Sequence, residues 1–450
     1  MTDLPTFEPY MLTPFDHSTS PIHLTPLFIF HPNNPSNPTA ILETGVHRLI
    51  ALLPFLAGNV TPSSRLQGKE NVLEAAPPTR EFLQLYPMFR VKHHCKPVQS
   101  INEVGAHEDA SPKRFAPIPY ELAGEDVSPI FRVQANVMLD ACCQNPGVSV
   151  NRLTTNRLKE EQRRQLIFDA SSSISTEDVT HEDNSAHDWE PNGDMASQPS
   201  VCDRILLDDR KVGGLKESCV GILKNQPNWK RINLSRTSVF IAALWLSLLR
   251  ARISSSSGSP SKESCLVIVN DCRSRLDRKL PASYMGNALV VKEVYASIEA
   301  VLSSMGPSED RASRADHLGP RDILLLANLA AAIQSGTLSV TNEYICSTLA
   351  GFVQQDDWTP NPCLGDLMVS VIRPFDIHGI DFGPSLGPLK DIDMLESRFP
   401  SAEWVVPPFE RANQKLWELI LSLDPAVIEK MRNDDVMKCL GLSQVVVAKL

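Results

Sequence analysis

The stretch from Cys265 to Asn287 reads CLVIVNDCRSRLDRKLPASYMGN, and the rest of the chain is best read outward from it. Cys265 to Asn270 is a short apolar run rich in β-formers, which predicts a buried strand. Asp271, Arg273 and Arg275 follow at once, and Pro281 and Gly286-Asn287 punctuate the loop beyond. In the plain reading the two arginines are solvated charges past the end of a strand. Upstream, Ser254 to Ser261 is a serine-glycine loop. Before it, Arg236 to Arg252 carries Val239, Phe240, Ala243, Leu244, Leu246, Leu248 and Leu249, the spacing of a strongly apolar helix. Downstream, Arg321 to Ile333 predicts a helix and Leu367 to Ile372 a strand. Leu416 to Leu423 and then Ala426 to Met437 close the chain.

The N-terminal part alternates apolar runs with proline-rich loops. Leu24 to Phe30 predicts a strand. Ile41 to Phe55 predicts a helix through Ile41, Leu42, Val46, Leu49, Ile50 and Leu53, with Thr39 as its N-cap and Gly58 just past its end. Pro129 to Ala135 is a further strand candidate whose inward-facing set the pattern leaves undecided. Residues 170–200 are rich in serine, aspartate and glutamate and poor in apolar positions, which predicts a mobile linker. The expected organisation is an α/β protein of two mixed lobes, residues 1–170 and 206–450, joined by a polar linker over 171–205.

Composition narrows the classes of function. The chain has 450 residues, enough for two ordinary domains, and 42% of them are hydrophobic. A net charge of −10 argues against nucleic acid as a partner. No run of roughly 18 uncharged apolar residues suggests a membrane span, and Met1 to Pro5 does not read as a secretory signal. The 10 cysteines form no C-x-x-C pair, the pattern of reduced thiols in a cytoplasmic protein. The 35 prolines favour many short elements over a helical bundle.

Several segments, in order, resemble one family. Leu12-Thr13-Pro14-Phe15-Asp16 is similar to its opening LSPLD segment, and Pro54-Phe55-Leu56-Ala57-Gly58 to the proline-to-glycine segment after its first helix. Phe131 to Asn136 is similar to the lead into its catalytic strand, and Ser238 to Arg252 to the helix opening its second lobe. Asn270 to Arg275 with Tyr284-Met285-Gly286-Asn287 resembles its D-x-R-x-R and Y-x-GN segments. Asp381-Phe382-Gly383 through Gly387 resembles its DFG-x-x-LG turn, and Trp417 to Cys439 its last strand and helix. The family is the two-domain, CoA-dependent BAHD acyltransferases, in the fungal branch that includes the trichothecene O-acetyltransferase-like proteins. The resemblance implies two lobes of the chloramphenicol-acetyltransferase type, each a mixed sheet flanked by helices. Between them it implies a channel admitting acyl-CoA from one face and the acceptor from the other. It also implies that Gly383 and Gly387 serve backbone geometry, and that an arginine of the Arg273/Arg275 pair meets the aspartate of a His-x-x-x-Asp motif.

That motif is absent. Its histidine would take the proton from the acceptor as it attacks the thioester. The eleven histidines are His17, His23, His31, His47, His93, His94, His107, His181, His187, His317 and His378, and none has an aspartate four residues on. Where the motif is expected, the chain runs Asn136-Val137-Met138-Leu139-Asp140. Two readings stay open: the catalytic strand and loop are missing, as after altered splicing, or Asn136-x-x-x-Asp140 is the motif with asparagine in the histidine's place. Asparagine accepts no proton near neutral pH, so either reading removes the usual base, typically about 10²–10⁴ in rate.

Other signals point elsewhere only weakly. Asp381-Phe382-Gly383 lacks the companion motifs of a protein kinase. His181, Glu182, Asp183 and His187 lie in the polar linker without a helical frame, so no metal is expected there. His93-His94-Cys95 is a loose cluster whose histidines are the first to test as a substitute base. The expected activity is transfer of an acyl group from acyl-CoA, as co-substrate, to a hydroxyl or amine of a secondary metabolite by a monomeric protein. The rival is a non-catalytic relative that binds a metabolite or partner protein. A third reading is a different reaction, such as a cyclisation, in the same pocket.

Overall fold

The computed structural model describes residues 4–18, 26–30, 32, 37–94, 116–118, 127–137, 201–226, 233–255, 261–280, 284, 286–305, 318–359, 365–371, 381–389, 391–394, 402–411 and 414–441. The first half in chain order holds β1 (Tyr10–Met11), α1 (Pro14–His17), β2 (Pro26–Ile29), α2 (Pro38–Leu52), a 3-10 turn (Pro54–Ala57), β3 (Asn59–Pro62), β4 (Leu73–Ala76), α3 (Arg80–Leu85), β5 (Phe89–His93), β6 (Ser128–Pro129) and β7 (Val133–Val137). The second holds β8 (Val201–Asp208), α4 (Asp209–Lys224), α5 (Arg236–Ile253), β9 (Glu263–Asp271), β10 (Leu289–Ser297), α6 (Ile298–Met305), α7 (Pro320–Ser339), α8 (Asn342–Gln354), β11 (Leu367–Val371), β12 (Asp391–Met394), β13 (Ala402–Arg411), β14 (Gln414–Leu423), α9 (Pro425–Asn433) and α10 (Asp435–Cys439).

The second half is built on a six-stranded mixed sheet in the order β10-β9-β11-β13-β14-β8. The central strands β9, β11 and β13 run parallel, and the flanking pairs are antiparallel. Alternate residues of its strands, among them Ile205, Leu207, Leu266, Ile268, Leu367, Val369, Leu419 and Leu421, enter one core, as a period of two requires for a single sheet face. Against that face lies α5, buried all round from Ser238 to Ala251. An α-helix apolar on every side is a core helix. Ser235 starts it by a reciprocal capping box with Ser238. Trp245 is fully buried, and its indole N–H donates to Ser264 Oγ of β9 at 3.0 Å, so no polar cost offsets the burial. The helix α7 is long and apolar enough to cross a bilayer by length and composition alone. Its stripe Leu326, Ala327, Leu329, Ala330 and Ile333 instead packs into this core.

In the first half, β1-β4-β3-β6 form one antiparallel sheet, and β5 and β7 form a separate parallel pair. The two halves of the chain are tied together: β2 pairs antiparallel with β12. Phe15 of α1 sits fully buried in a cluster otherwise drawn from the second half, with Cys272, Leu276, Tyr284 and Leu349 among its members.

Several sequence expectations shift. The N-cap of α2 is Asn37, not Thr39: its side chain accepts from Ala40 N at 3.2 Å, and Pro38 fixes the first helical φ. The helix ends at Leu52 because Pro54 disfavours helical backbone in Leu53, and Pro54–Ala57 closes as a 3-10 turn. The strand expected over 129–135 is two strands in different sheets, β6 and β7, and the residue buried between them is Arg132. The tail of the expected linker, from Val201, is strand β8, paired with β14; residues 171–200 lie outside the described residues.

Candidate active site

The loop after β9 is organised by short polar contacts. Asp271 Oδ1 accepts from the backbone N–H of Arg273 at 2.9 Å and from its Nη1 at 3.2 Å. The same guanidinium donates from Nη2 to Gly286 O at 2.9 Å and lies 6.0 Å from the Tyr284 ring centre. Gly286 is required by contact: an added Cβ would fall on the Tyr284 phenol, 2.5 Å from Cζ. Tyr284 cannot retreat freely, being 3% exposed and packed in the cluster around Phe15.

Asn287 then joins this loop to the N-terminal segment. Its backbone N–H donates to Asp16 Oδ1 at 2.9 Å, and its Nδ2 donates to Phe15 O at 2.6 Å. Asp16 is itself held by the capping box of α1, its Oδ2 accepting from Thr13 N and Oγ1. The structure thus brings Asp271, Arg273, Gly286 and Asn287 together with Phe15 and Asp16, a union that motif reading on either side did not disclose.

Arg275 reaches a second element. Its Nη1 donates to Thr337 O at 2.6 Å and Val340 O at 3.0 Å, so the charge sits at the carbonyl end of α7. Arg273 is engaged by Asp271 and Arg275 by a helix terminus, while the motif aspartate expected to meet one of them is not among the described residues. Asp140 lies outside the described residues, as does the acidic cluster at 181–187. Among the described residues no group of three His, Cys, Asp or Glu side chains is placed to hold a metal.

The Asp381–Gly387 segment is a tight turn. Gly383 and Gly387 have φ of +89° and +74°, the left-handed region that disfavours side chains. Gly383 N donates to Asp381 Oδ1 at 2.9 Å, and Phe382 N and Gly387 N donate across the turn. The Phe382 ring meets Phe30 edge-on at 4.8 Å.

Asn136 lies on β7, beside β5. Its Oδ1 accepts from Gln134 Nε2 at 2.6 Å and is 2.8 Å from His94 Nε2. Just before this strand, Arg132 is buried and donates to the carbonyls of Tyr86, Phe131 and Ala57, with the Phe82 ring 5.5 Å away. Burial lowers its pKa to about 10, so it stays charged at neutral pH.

Two further groups bear on chemistry. His17 is buried; its Nδ1 is 3.0 Å from Thr13 O, and its Nε2 accepts from Leu73 N at 2.9 Å. A carbonyl at Nδ1 and an N–H at Nε2 define the neutral Nδ1–H tautomer, and burial lowers its pKa. The Cys272 thiol is pushed up to about 12, chiefly by burial, so it is no nucleophile at neutral pH.

This fold is that of a two-lobed acyltransferase. F. sporotrichioides TRI101, solved with coenzyme A and T-2, superposes with a TM-score of 0.64 over 96% of this chain and 98% of its own, at 14% identity. Vinorine synthase follows at 0.54 over 94% and 92%, at 13% identity. Residues 147–306, which include the Asp271–Asn287 loop, match the model of the Transferase family. The resemblance seen in the motifs extends along the whole chain. It is 26% identical to the communesin N16 acyltransferase of Penicillium expansum, over 96% of this chain and 97% of that protein. It is 25% identical to the fumigaclavine B O-acetyltransferase of Aspergillus fumigatus, over 95% and 96%. The chain is thus similar to these fungal acyltransferases over nearly its whole length.

Proposed function

We propose that this chain moves an acyl group from acyl-CoA to a hydroxyl or amine of a secondary metabolite. The observation that carries the reading is the end-to-end likeness, in length and in fold, to acyltransferases of fungal metabolism. One relative is named for acylation at nitrogen and another for acylation at oxygen, which supports leaving both acceptor chemistries in the proposal. The proposed organisation has lobes at 1–170 and 201–450 with a linker at 171–200, since β8 from Val201 belongs to the second sheet. In it the Asp271/Arg273/Gly286/Asn287 loop and the Asp381-Phe382-Gly383/Gly387 turn are structural, and Arg275 is a helix-end cation. The protein is proposed to act in the cytoplasm as a monomer on small molecules. The acidic net charge of −10 supports the absence of a nucleic-acid partner.

The rival reading, a catalytically inactive relative that binds a metabolite or partner, rests on one fact: no histidine is followed by aspartate at the fourth position. Calorimetric titration with acetyl-CoA separates the first question from the second. Binding in the micromolar-to-millimolar range is expected. Transfer is then followed as free CoA thiol released with an acceptor panel that includes fumigaclavine B. Binding without thiol release supports the rival, and no binding at millimolar acetyl-CoA sinks the acyl-transfer reading.

A further inference from the structure

Three segments distant in sequence meet around His17 of α1. The loop before β4 brings residues 69–73, and the end of α8 brings Phe352 to Thr359. Backbone holds the ring on both nitrogens: Nδ1 is 3.0 Å from Thr13 O, and Nε2 accepts from Leu73 N at 2.9 Å. Trp358 meets the ring edge-on with centres 4.8 Å apart, and Phe352 lies 6.2 Å away. His17 and Trp358 are both buried. Trp358 is carried there by a graft of one segment on the other. Glu70 N donates to Asp356 O at 2.7 Å and Trp358 N to Glu70 O at 3.0 Å, a one-rung parallel bridge. Asn71 has φ of +56°, a left-handed backbone that asparagine tolerates, and its Nδ2 donates to Asp357 Oδ1 at 2.8 Å and Thr359 Oγ1 at 2.9 Å. Lys69 Nζ donates to the carbonyls that end α8, Gln354 O and Gln355 O. The Trp358 indole N–H is buried without an acceptor among the described residues, so this closed arrangement carries an unmet donor.

These contacts admit one charge state of His17. An imidazolium carries a hydrogen on both nitrogens, so its Nε2–H would meet the Leu73 N–H donor against donor. We propose that His17 is the trigger of an acid-operated latch between the two halves of the chain: neutral, it locks α1 and β4 around Trp358; protonated, it releases Leu73 and Trp358 together. Release reaches further through α1, because Asp16, the residue before His17, accepts from Asn287 N and so ties the Asp271–Asn287 loop to the same short helix.

The charged groups on the packed elements are Asp16 on α1, Glu74 on β4, Lys69 and Glu70 before it, and Asp356 and Asp357 after α8; on α8 itself Glu343 lies at the end away from Phe352. Glu74 is engaged by Ser63 and Arg65, and Asp356 by Lys69. Asn71 and Thr359 hold the Asp357 carboxyl below its ordinary range, so it stays ionised where His17 titrates. Burial lowers the His17 pKa against the opposing pull of Thr13 O and Asp16. The open form therefore takes its proton at about pH 6.5 and the closed form only at lower pH, so acid favours opening.

The test is amide hydrogen exchange of the full chain, read by mass spectrometry on peptides spanning residues 69–76 and 352–359 and corrected for the intrinsic pH dependence of exchange. The opening constant of both peptides is expected to be level above about pH 6.5 and to rise below it, by about tenfold per pH unit until the closed form itself titrates. Peptides of β9 and β10 are expected to keep their protection over the same range. His17→Gln, neutral at every pH and able to accept from Leu73 N, is expected to give a level profile. Asn71→Ala, which removes the bonds to Asp357 and Thr359, is expected to raise the opening of both peptides by a constant factor with the pH slope kept; it carries the test alone if His17→Gln does not fold. A level profile in the unaltered chain, an equal rise in His17→Gln, or protection lost in β9 and β10 along with the two peptides would each overturn the latch. So would an Asn71→Ala variant that loosens residues 69–76 and leaves 352–359 as they were, since the two segments would then not open as one.

Discussion

Replacing Arg250 by methionine is expected to destabilise the second lobe by about 3 kcal/mol. Arg250 of α5 is 7% exposed, and its Nη2 bonds Asp322 Oδ1 and, at 2.8 Å, Ser304 Oγ. Its Nη1 lies 3.5 Å from Asp434 Oδ2. The two carboxylates are 14% and 12% exposed, so removing the cation strands two buried charges. Breaking a buried pair in this way costs about 3–5 kcal/mol. The lower end applies for two reasons. Asp322 lies in the first turn of α7, and Asp434 caps α10 through Val436 N, so each keeps a helix N-terminus worth about 0.3–1 kcal/mol. In addition, Arg250 Nε is buried without an acceptor among the described residues, a cost the variant escapes. Urea unfolding followed by tryptophan fluorescence reads the change, since Trp245 lies on the same helix. With a slope of about 3 kcal/mol per molar the midpoint should fall by about 1 M. Arg250→Met combined with Asp322→Leu should recover part of the loss, because one stranded charge is gone. An Arg250→Met midpoint equal to that of the unaltered chain, or a double variant weaker than the single one, would refute the reasoning.

Two further outcomes follow from the site. The pKa of buried His17 is lowered below the ordinary value of about 6.5, so the unfolded chain binds its proton first as pH falls. The stability it confers is full above about pH 6.5 and is lost from there toward the folded value; urea midpoints at pH 7.5 and 5.5 should fall more for the unaltered chain than for His17→Phe, and equal falls would disprove the linkage. Gly286→Ala drives a methyl group into the Tyr284 phenol and should cost about 1–3 kcal/mol by overpacking, read as a lower urea midpoint; a neutral substitution would show that the loop yields without strain.

Where the sequence was legible, one local rule dominated. The helix around Trp245 is readable because its apolar residues run unbroken between a serine cap and a serine loop, and β9 because CLVIVN is bounded by polar residues. The helix α7 runs on to Ser339 beyond the expected end at Ile333. Gly336, which reads as a breaker, is there because an added Cβ would sit 2.9 Å from Val294 Cγ2 of β10. The amphipathic α4 was legible in Val212, Leu215, Cys219 and Leu223 behind the Asp208 cap, yet a window fixed on motifs passes it by. The site was less legible for a physical reason. Asn287 meets Phe15 and Asp16 from 272 and 271 positions away, and periodicity carries no information about such pairings. The Gln134/Asn136 spacing does mark one strand face, but His94 joins it only once β5 and β7 are known to lie side by side.

The pairing of β2 with β12 also sets a timetable for the newborn chain. Ile29 is made early, whereas its partner Asp391 leaves the ribosome 362 residues later. At about 5–20 residues per second the first strand waits roughly 20–70 s for its mate. Asp16 waits for Asn287, and Lys69, whose ammonium donates to Gln354 O at 3.1 Å and Gln355 O at 2.7 Å, waits as well. Contacts this distant in sequence make folding slow, because loop closure precedes any reward from them. During that interval Phe15, later fully buried, has none of its partners from the second half, so the nascent N-terminal segment is a natural client for a chaperone. A C-terminal truncation before Asp391 would leave that strand waiting for good.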